Sequence, residues 1–221
     1  MSWRTYLVVA GVMLGVFEAR AVGQSTSTTT ELSQLMAAFS KMPGLEARFV
    51  ETKRLGLLAQ PLESRGRLYF ARPGLLLRRV ESPRRSELVI TPKELKMRDE
   101  DGEQVIDLRA RPDVRPFVES LTWLLAGDQK ALASVYALQF ERGDGHTPWQ
   151  LTLTPKAEPL AHLIAFIRVI GTGLAVSEIR VQEKAGDETV THIVEANPAR
   201  TFQPAELQSL FGVPGTASKK P

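Results

Sequence analysis

A chain of 221 residues, 43% hydrophobic and 24% charged, suits one large domain or two small ones, and disorder is not its default state. It has no cysteine, which excludes disulfides, thiolate chemistry and cysteine-ligated zinc or iron–sulfur sites. The formal charge of +3 is unevenly spread: Arg48 to Arg115 hold sixteen Lys/Arg against eleven Asp/Glu, while nine face eleven from Pro116 onward. Because acids interleave with the bases, that bias reads as solvated strand faces rather than as a nucleic-acid or membrane patch.

Arg4, the apolar run Leu7 to Phe17 and the Ala19-Arg20-Ala21 site have the form of a secretory signal peptide over residues 1–21. Gly23 offers a second place for the cut, and the run is short for a membrane span. Residues 22–30, rich in Ser and Thr, read as a flexible leader, 31–213 as a single domain and 214–221 as a flexible tail. Thr28 and Glu31 have capping-box spacing ahead of a helix whose apolar face is Leu32, Leu35, Met36 and Phe39; Pro43-Gly44 ends it.

From Leu45 the period becomes two, with Leu45, Ala47 and Phe49 sharing a face. Ser64 and Gly66, small residues in the next strand, predict strong curvature or a close backbone approach. In the hairpin that follows, Leu68 and Phe70 point one way and Tyr69 the other, and Pro73-Gly74 reverses the chain. Leu75-Leu76-Leu77 is apolar on both faces, so it is covered on both faces or wrapped around something other than water. Three more short strands follow, with Asp101-Gly102 predicting a type I′ turn. Pro116 opens a helix with the stripe Phe117, Leu121, Leu124 and Leu125, widened by Trp123. Gly127 ends it, and Asp128 caps a third helix. Five alternating strands and a short helix, Pro204 to Phe211, complete the chain. Helix, six strands, two helices, five strands and no linker predict one mainly β domain, a sandwich or barrel.

Chemistry is poorly represented. His146, His162 and His192 lack any second ligand at metal spacing, and there is no nucleophile elbow, P-loop or dinucleotide fingerprint. Asp99, Glu100, Asp101 and Glu103 lack the EF-hand pattern and read as a solvated hairpin. The expectation is therefore no catalytic residue, no metal, no cofactor and no nucleic acid. A curved sheet with amphipathic helices against it encloses either a filled core or a lipid-sized cavity.

The order of motifs resembles the periplasmic lipoprotein carrier (LolA-like) family. The matching pieces are the N-terminal amphipathic helix, Ala47-Arg48-Phe49-Val50-Glu51-Thr52-Lys53, Gly66 with Leu68 to Gly74, Leu124-Leu125, and Trp149 to Lys156. The resemblance implies an open, incomplete antiparallel β-barrel with helices forming a lid over a hydrophobic cavity. It implies a monomeric periplasmic carrier that takes acyl chains of a lipoprotein or other acylated lipid from an inner-membrane donor to an outer-membrane acceptor, without covalent chemistry. Arg72 matches the arginine that latches the lid in that family. Phe49, Leu68, Phe70, Leu75, Leu77, Phe117, Leu121, Leu124 and Trp149 are the candidates for cavity wall and lid. Leu76-Leu77-Arg78-Arg79 departs from the aromatic expected after the turn, which marks a divergent branch and leaves the cargo open between a lipoprotein, a glycolipid and another acylated molecule. A regulatory or accessory module that binds a protein on the same fold is the alternative.

Overall fold

The computed structural model describes residues 23–112, 115–144 and 147–213; the signal-peptide reading of residues 1–21, the tail and His146 lie outside them. Helix α1 (Gly23–Phe39) precedes strands β1 (Gly44–Arg54), β2 (Leu62–Ala71), β3 (Leu75–Ser82), β4 (Ser86–Ile90), β5 (Glu94–Asp99) and β6 (Gly102–Asp107). Helices α2 (Arg115–Ala126) and α3 (Gln129–Val135) then lead to β7 (Tyr136–Glu141) and β8 (Trp149–Pro155). The single turn α4 (Leu160–Leu163) precedes β9 (Ile164–Thr172), β10 (Ala175–Glu183), β11 (Glu188–Asn197) and helix α5 (Pro204–Phe211).

All eleven strands form one antiparallel sheet in the order β6-β5-β4-β3-β2-β1-β11-β10-β9-β8-β7. The first and last strands of the chain, β1 and β11, meet in its middle, and β6 and β7 are its two edges. The sheet is not closed: α2 and α3 carry the chain from one edge to the other. This is the open barrel with helices that the family resemblance implies, with the expected six-then-five division of strands. Among the described residues no helix is long and apolar enough to cross a membrane.

Gly66 shows why the sheet can bend where it does. A Cβ there would lie 1.9 Å from the Arg79 carbonyl oxygen, so only glycine lets β3 approach so closely, and the β2–β3 register shifts between Arg65 and Gly66. At the next turn Gly74 N–H donates to Ala71 O at 3.2 Å and Gly74 takes a φ of +145°.

The two faces of the sheet are covered differently. The inner face carries Leu45, Ala47, Leu68, Phe70, Leu76, Ile90, Leu151 and Val169, which pack with Leu32, Met36 and Phe39 of α1 and Leu124 and Leu125 of α2. On the outer face Tyr69, Ala71, Leu75, Leu77 and Val89 form a separate cluster closed by Phe211 of α5, with Phe202, Leu207 and Leu210 around it. The doubly apolar strand is thus covered on both sides by protein. Leu75 and Leu77 consequently belong to the outer cluster and not to the inner wall proposed for them. The three-leucine run could not specify which leucine faced which cover, because α5 comes more than a hundred residues later.

Two local expectations change, and one holds. The β5–β6 turn is one residue earlier than Asp101-Gly102: Asp99 pairs with Gly102, and the Asp99 carboxylate accepts the N–H groups of Asp101 (2.9 Å) and Gly102 (3.2 Å). That Asx arrangement gives the turn its own local bonds, so the Asp-Gly pair does not set it. The α1 backbone is helical from Gly23, so Thr28 lies within the helix rather than at its cap, and the helical backbone extends into the leader segment. Asp128 does cap α3, its Oδ1 accepting the Ala131 N–H at 2.9 Å.

Candidate ligand-binding face and its helical cover

The inner face of the sheet and the ends of α1 and α2 meet at the β2–β3 turn, where Arg72 projects. Its Nε donates to Met42 O at 2.7 Å, and Nη2 donates to Phe39 O at 2.7 Å and to Ala126 O at 3.5 Å. Phe39 and Ala126 are the last residues of α1 and α2, so one guanidinium reaches carbonyls that the two helices cannot satisfy internally. The helix ends are close because residue 127 is glycine. Gly127 has a φ of +73°, and a Cβ on it would lie 2.2 Å from Met36 O and 2.6 Å from Ser40 N.

Of the nine predicted cavity residues, Leu68, Phe70, Leu124 and Trp149 are buried together in the inner cluster, and Leu121 packs against it. Trp149 sits edge-on to Phe39 with ring centroids 6.3 Å apart, and its Nε1–H donates to Gly173 O at 2.9 Å. Gly171 makes room for that indole, since a Cβ there would be 2.5 Å from it. Leu75 and Leu77 lie on the other face. Phe117 is 47% exposed. Helix α2 turns Ser120 inward instead, where its hydroxyl bonds the Pro116 carbonyl and the hydroxyl of fully buried Tyr136. Burial pushes the Tyr136 phenol above its ordinary pKa, and the Ser120 bond opposes this. Glu119, also buried, is held by Arg115 at 2.8 Å. The Arg115–Glu119 pair lies within α2, while the Ser120–Tyr136 bond ties α2 to β7, a link that the apolar stripe alone did not reveal.

Phe49 is buried but lies outside the inner cluster. The Arg78 guanidinium covers its ring at 4.6 Å, and Gly66 lies beneath. Arg78 pairs in register with Leu68, so it also points inward, and its Nη2 meets Glu51 Oε1 at 2.8 Å. Glu51 Oε2 in turn accepts the Thr191 hydroxyl at 3.0 Å. Sequence reasoning missed this pair. Its signal was an acid two residues beyond Phe49, on the face that period two turns inward.

A cavity of about 550 Å³ opens beside Arg78, Leu88, Met97 and Gln104, with the β5–β6 hairpin as its rim. A second, of about 580 Å³, is walled by charged side chains including Arg79, Glu87 and Arg98. The acids of the hairpin are engaged: Arg84 binds Asp101 at 3.0 Å, and Arg98 and Glu103 form an ion pair. No group of three acidic or histidine side chains that could hold a metal is present among the described residues. His162 lies in α4, and His192 Nδ1 is 3.7 Å from Glu178.

A family model described as the outer membrane lipoprotein carrier protein LolA matches residues 40–207. No curated protein sequence matches the chain. Among solved structures, it is similar to a LolA superfamily protein from Nitrosomonas europaea, with 10% identity and a TM-score of 0.45 over 80% of this chain and 96% of that one. It is also similar to a chain of the Pseudomonas aeruginosa MucA/MucB complex, with 14% identity and a TM-score of 0.47, covering 80% of this chain and 60% of that one. A third is the Mycobacterium tuberculosis lipoprotein LppX, with 12% identity and a TM-score of 0.39 over 78% of this chain and 96% of that one.

Proposed function

The chain belongs to the outer membrane lipoprotein carrier (LolA) family, and from that premise we propose that it is a periplasmic carrier of acyl chains. Residues 1–21 serve as its signal peptide, and residues 31–213 form the carrier domain. The cargo is a lipoprotein or another acylated lipid, passed from a donor at the inner membrane to an acceptor at the outer membrane. The observation that carries this reading is Arg72: three N–H···O contacts from one side chain hold the ends of α1 and α2 over an apolar sheet face.

In the closed state the helices supply the apolar contacts themselves, with Phe39, Leu124 and Leu125 filling the space. An acyl chain enters by displacing α1 and α2, and it gains roughly 0.8 kcal/mol per buried methylene. That gain is offset by the loss of the helix contacts and of the Arg72 bonds. The balance keeps affinity modest, so transfer needs only an acceptor whose pocket is more favourable. Leu68, Phe70, Leu121, Leu124 and Trp149 are the residues of wall and lid, and Arg72 is the latch.

The test is purification of the mature protein from its native envelope, followed by solvent extraction and mass spectrometry. Co-purifying acylated species, or saturable binding of an acyl-chain fluorophore, is the expected result. Absence of both would overturn the carrier reading in favour of a module that binds a protein.

A further inference from the structure

We propose that Arg78 is the head-group receptor of the ligand site, and that the acylated ligand carries an anionic head group, a carboxylate or a phosphate. This rests on the carrier reading above and adds the chemistry of the polar end. The geometry begins with a row of inward-facing residues at successive register positions: Ala47, Leu68, Arg78, Leu88, Met97 and Gln104. A permanently charged guanidinium stands among aliphatic side chains in that row. Placing it there is costly unless the charge is paired or used.

It is only partly paired. Among the described residues its one ion pair is with Glu51, through Nη2, while its face lies on Phe49. Guanidinium has five N–H donors, so donors remain for a second oxyanion. Glu51 is itself fixed by Thr191, and so acts as a positioning residue that holds Arg78 in place. The side chain is 28% exposed, which leaves it reachable from the 550 Å³ cavity. That volume is within the ordinary range for a small-molecule site. Leu88 and Met97 line the same cavity and are half-buried against the inner cluster, so an apolar path leads from Arg78 toward the helix-covered face. The four carboxylates of the cavity do not compete for Arg78, since Glu87 is bound by Arg79, Asp99 accepts hairpin N–H groups, and Asp101 and Glu103 are bound by Arg84 and Arg98. An amphiphile with an acyl tail and an anionic head matches this order of surfaces.

The experiment measures binding of two fluorophore-labelled C16 probes, one a carboxylate and one the corresponding alcohol, to the mature protein, with inorganic phosphate as competitor. The wild type should prefer the carboxylate about tenfold, with the preference shrinking as salt rises. In Arg78→Gln that ratio should fall to near one, and Arg78→Lys should retain part of it. The double variant Arg78→Gln/Glu51→Gln removes the charge without leaving Glu51 unpaired, and should also show a ratio near one. An undiminished ratio in these Gln variants overturns the proposal. So does displacement of the carboxylate probe by millimolar inorganic phosphate alone, which would mark a free-anion site. Equal binding of both probes by the wild type overturns the head-group proposal and leaves the carrier reading standing. Binding of neither probe overturns both.

Discussion

Two helices-on-sheet contacts in this protein are fastened by arginine, and they are built differently. On the inner face, Arg72 donates to the backbone carbonyls of Met42, Phe39 and Ala126. On the outer face, Arg200 bridges Glu46 of β1 at 3.1 Å and Glu206 of α5, with its guanidinium over Phe202 at 4.8 Å. The inner fastening has no titratable acceptor, and its acceptors lie at helix ends. The outer fastening depends on two carboxylates, and α5 brings a capping box of Gln203 and Glu206 with it. The inner cover is thus fastened at its helix ends through backbone carbonyls, with one hydroxyl contact from Ser120 to Tyr136 along α2, whereas α5 is fastened through carboxylates.

Substituting the buried outer residue Leu77 should have the largest effect. Leu77→Ala should lower stability by about 4 kcal/mol in urea unfolding, because the side chain is fully enclosed. Its acyl-probe affinity should stay at the wild-type value, and a loss of probe binding in the folded variant would break the division between the two faces. Next comes Gly127→Ala, expected to cost about 3 kcal/mol from the left-handed backbone and the overlap with Met36 O. A wild-type unfolding midpoint would contradict the close approach of α1 and α2. Arg72→Leu follows at about 2 kcal/mol, with faster hydrogen exchange at the end of α1 and greater probe access. Unchanged exchange and access in the folded variant would sink the latch role.

The smallest effect concerns pH. The Glu206 carboxyl is held below its ordinary pKa, first by the Gln203 backbone N–H and also by Arg200. A depressed carboxylate stabilises above its unfolded pKa, and that contribution is lost as pH falls through the lower folded value. Acidification below about pH 4 should therefore raise exchange in α5, and Glu206→Gln should remove that step. An α5 that responds no differently from α1 in both proteins would erase the contrast.

Much of the fold was legible because the period of two survives in most strands and the period of 3.6 in α1. Gly66 announced its close approach by being small where a strand wants bulk. The cover of Leu75 and Leu77 was not legible, since an apolar run says that both faces are dry without saying what dries them. The link between α2 and β7 was hidden for another reason: Ser120 and Tyr136 are ordinary residues until the fold brings their hydroxyls together. Arg72 was singled out by resemblance, because backbone carbonyls thirty and more residues away leave no trace in residue types. Arg78 with Glu51 was readable in principle, as two charges at inward positions.

If α1 and α2 move off the inner face to admit an acyl chain, a distance between helix and sheet must change on loading. The chain has no cysteine, so Gln34→Cys in α1 and Val194→Cys in β11 give two clean positions for spin labels. The distance between them, measured by pulsed electron resonance, should lengthen on saturation with an acyl probe, and Arg72→Leu should shift the unloaded protein the same way. A loaded protein that keeps the unloaded distance would contradict the account.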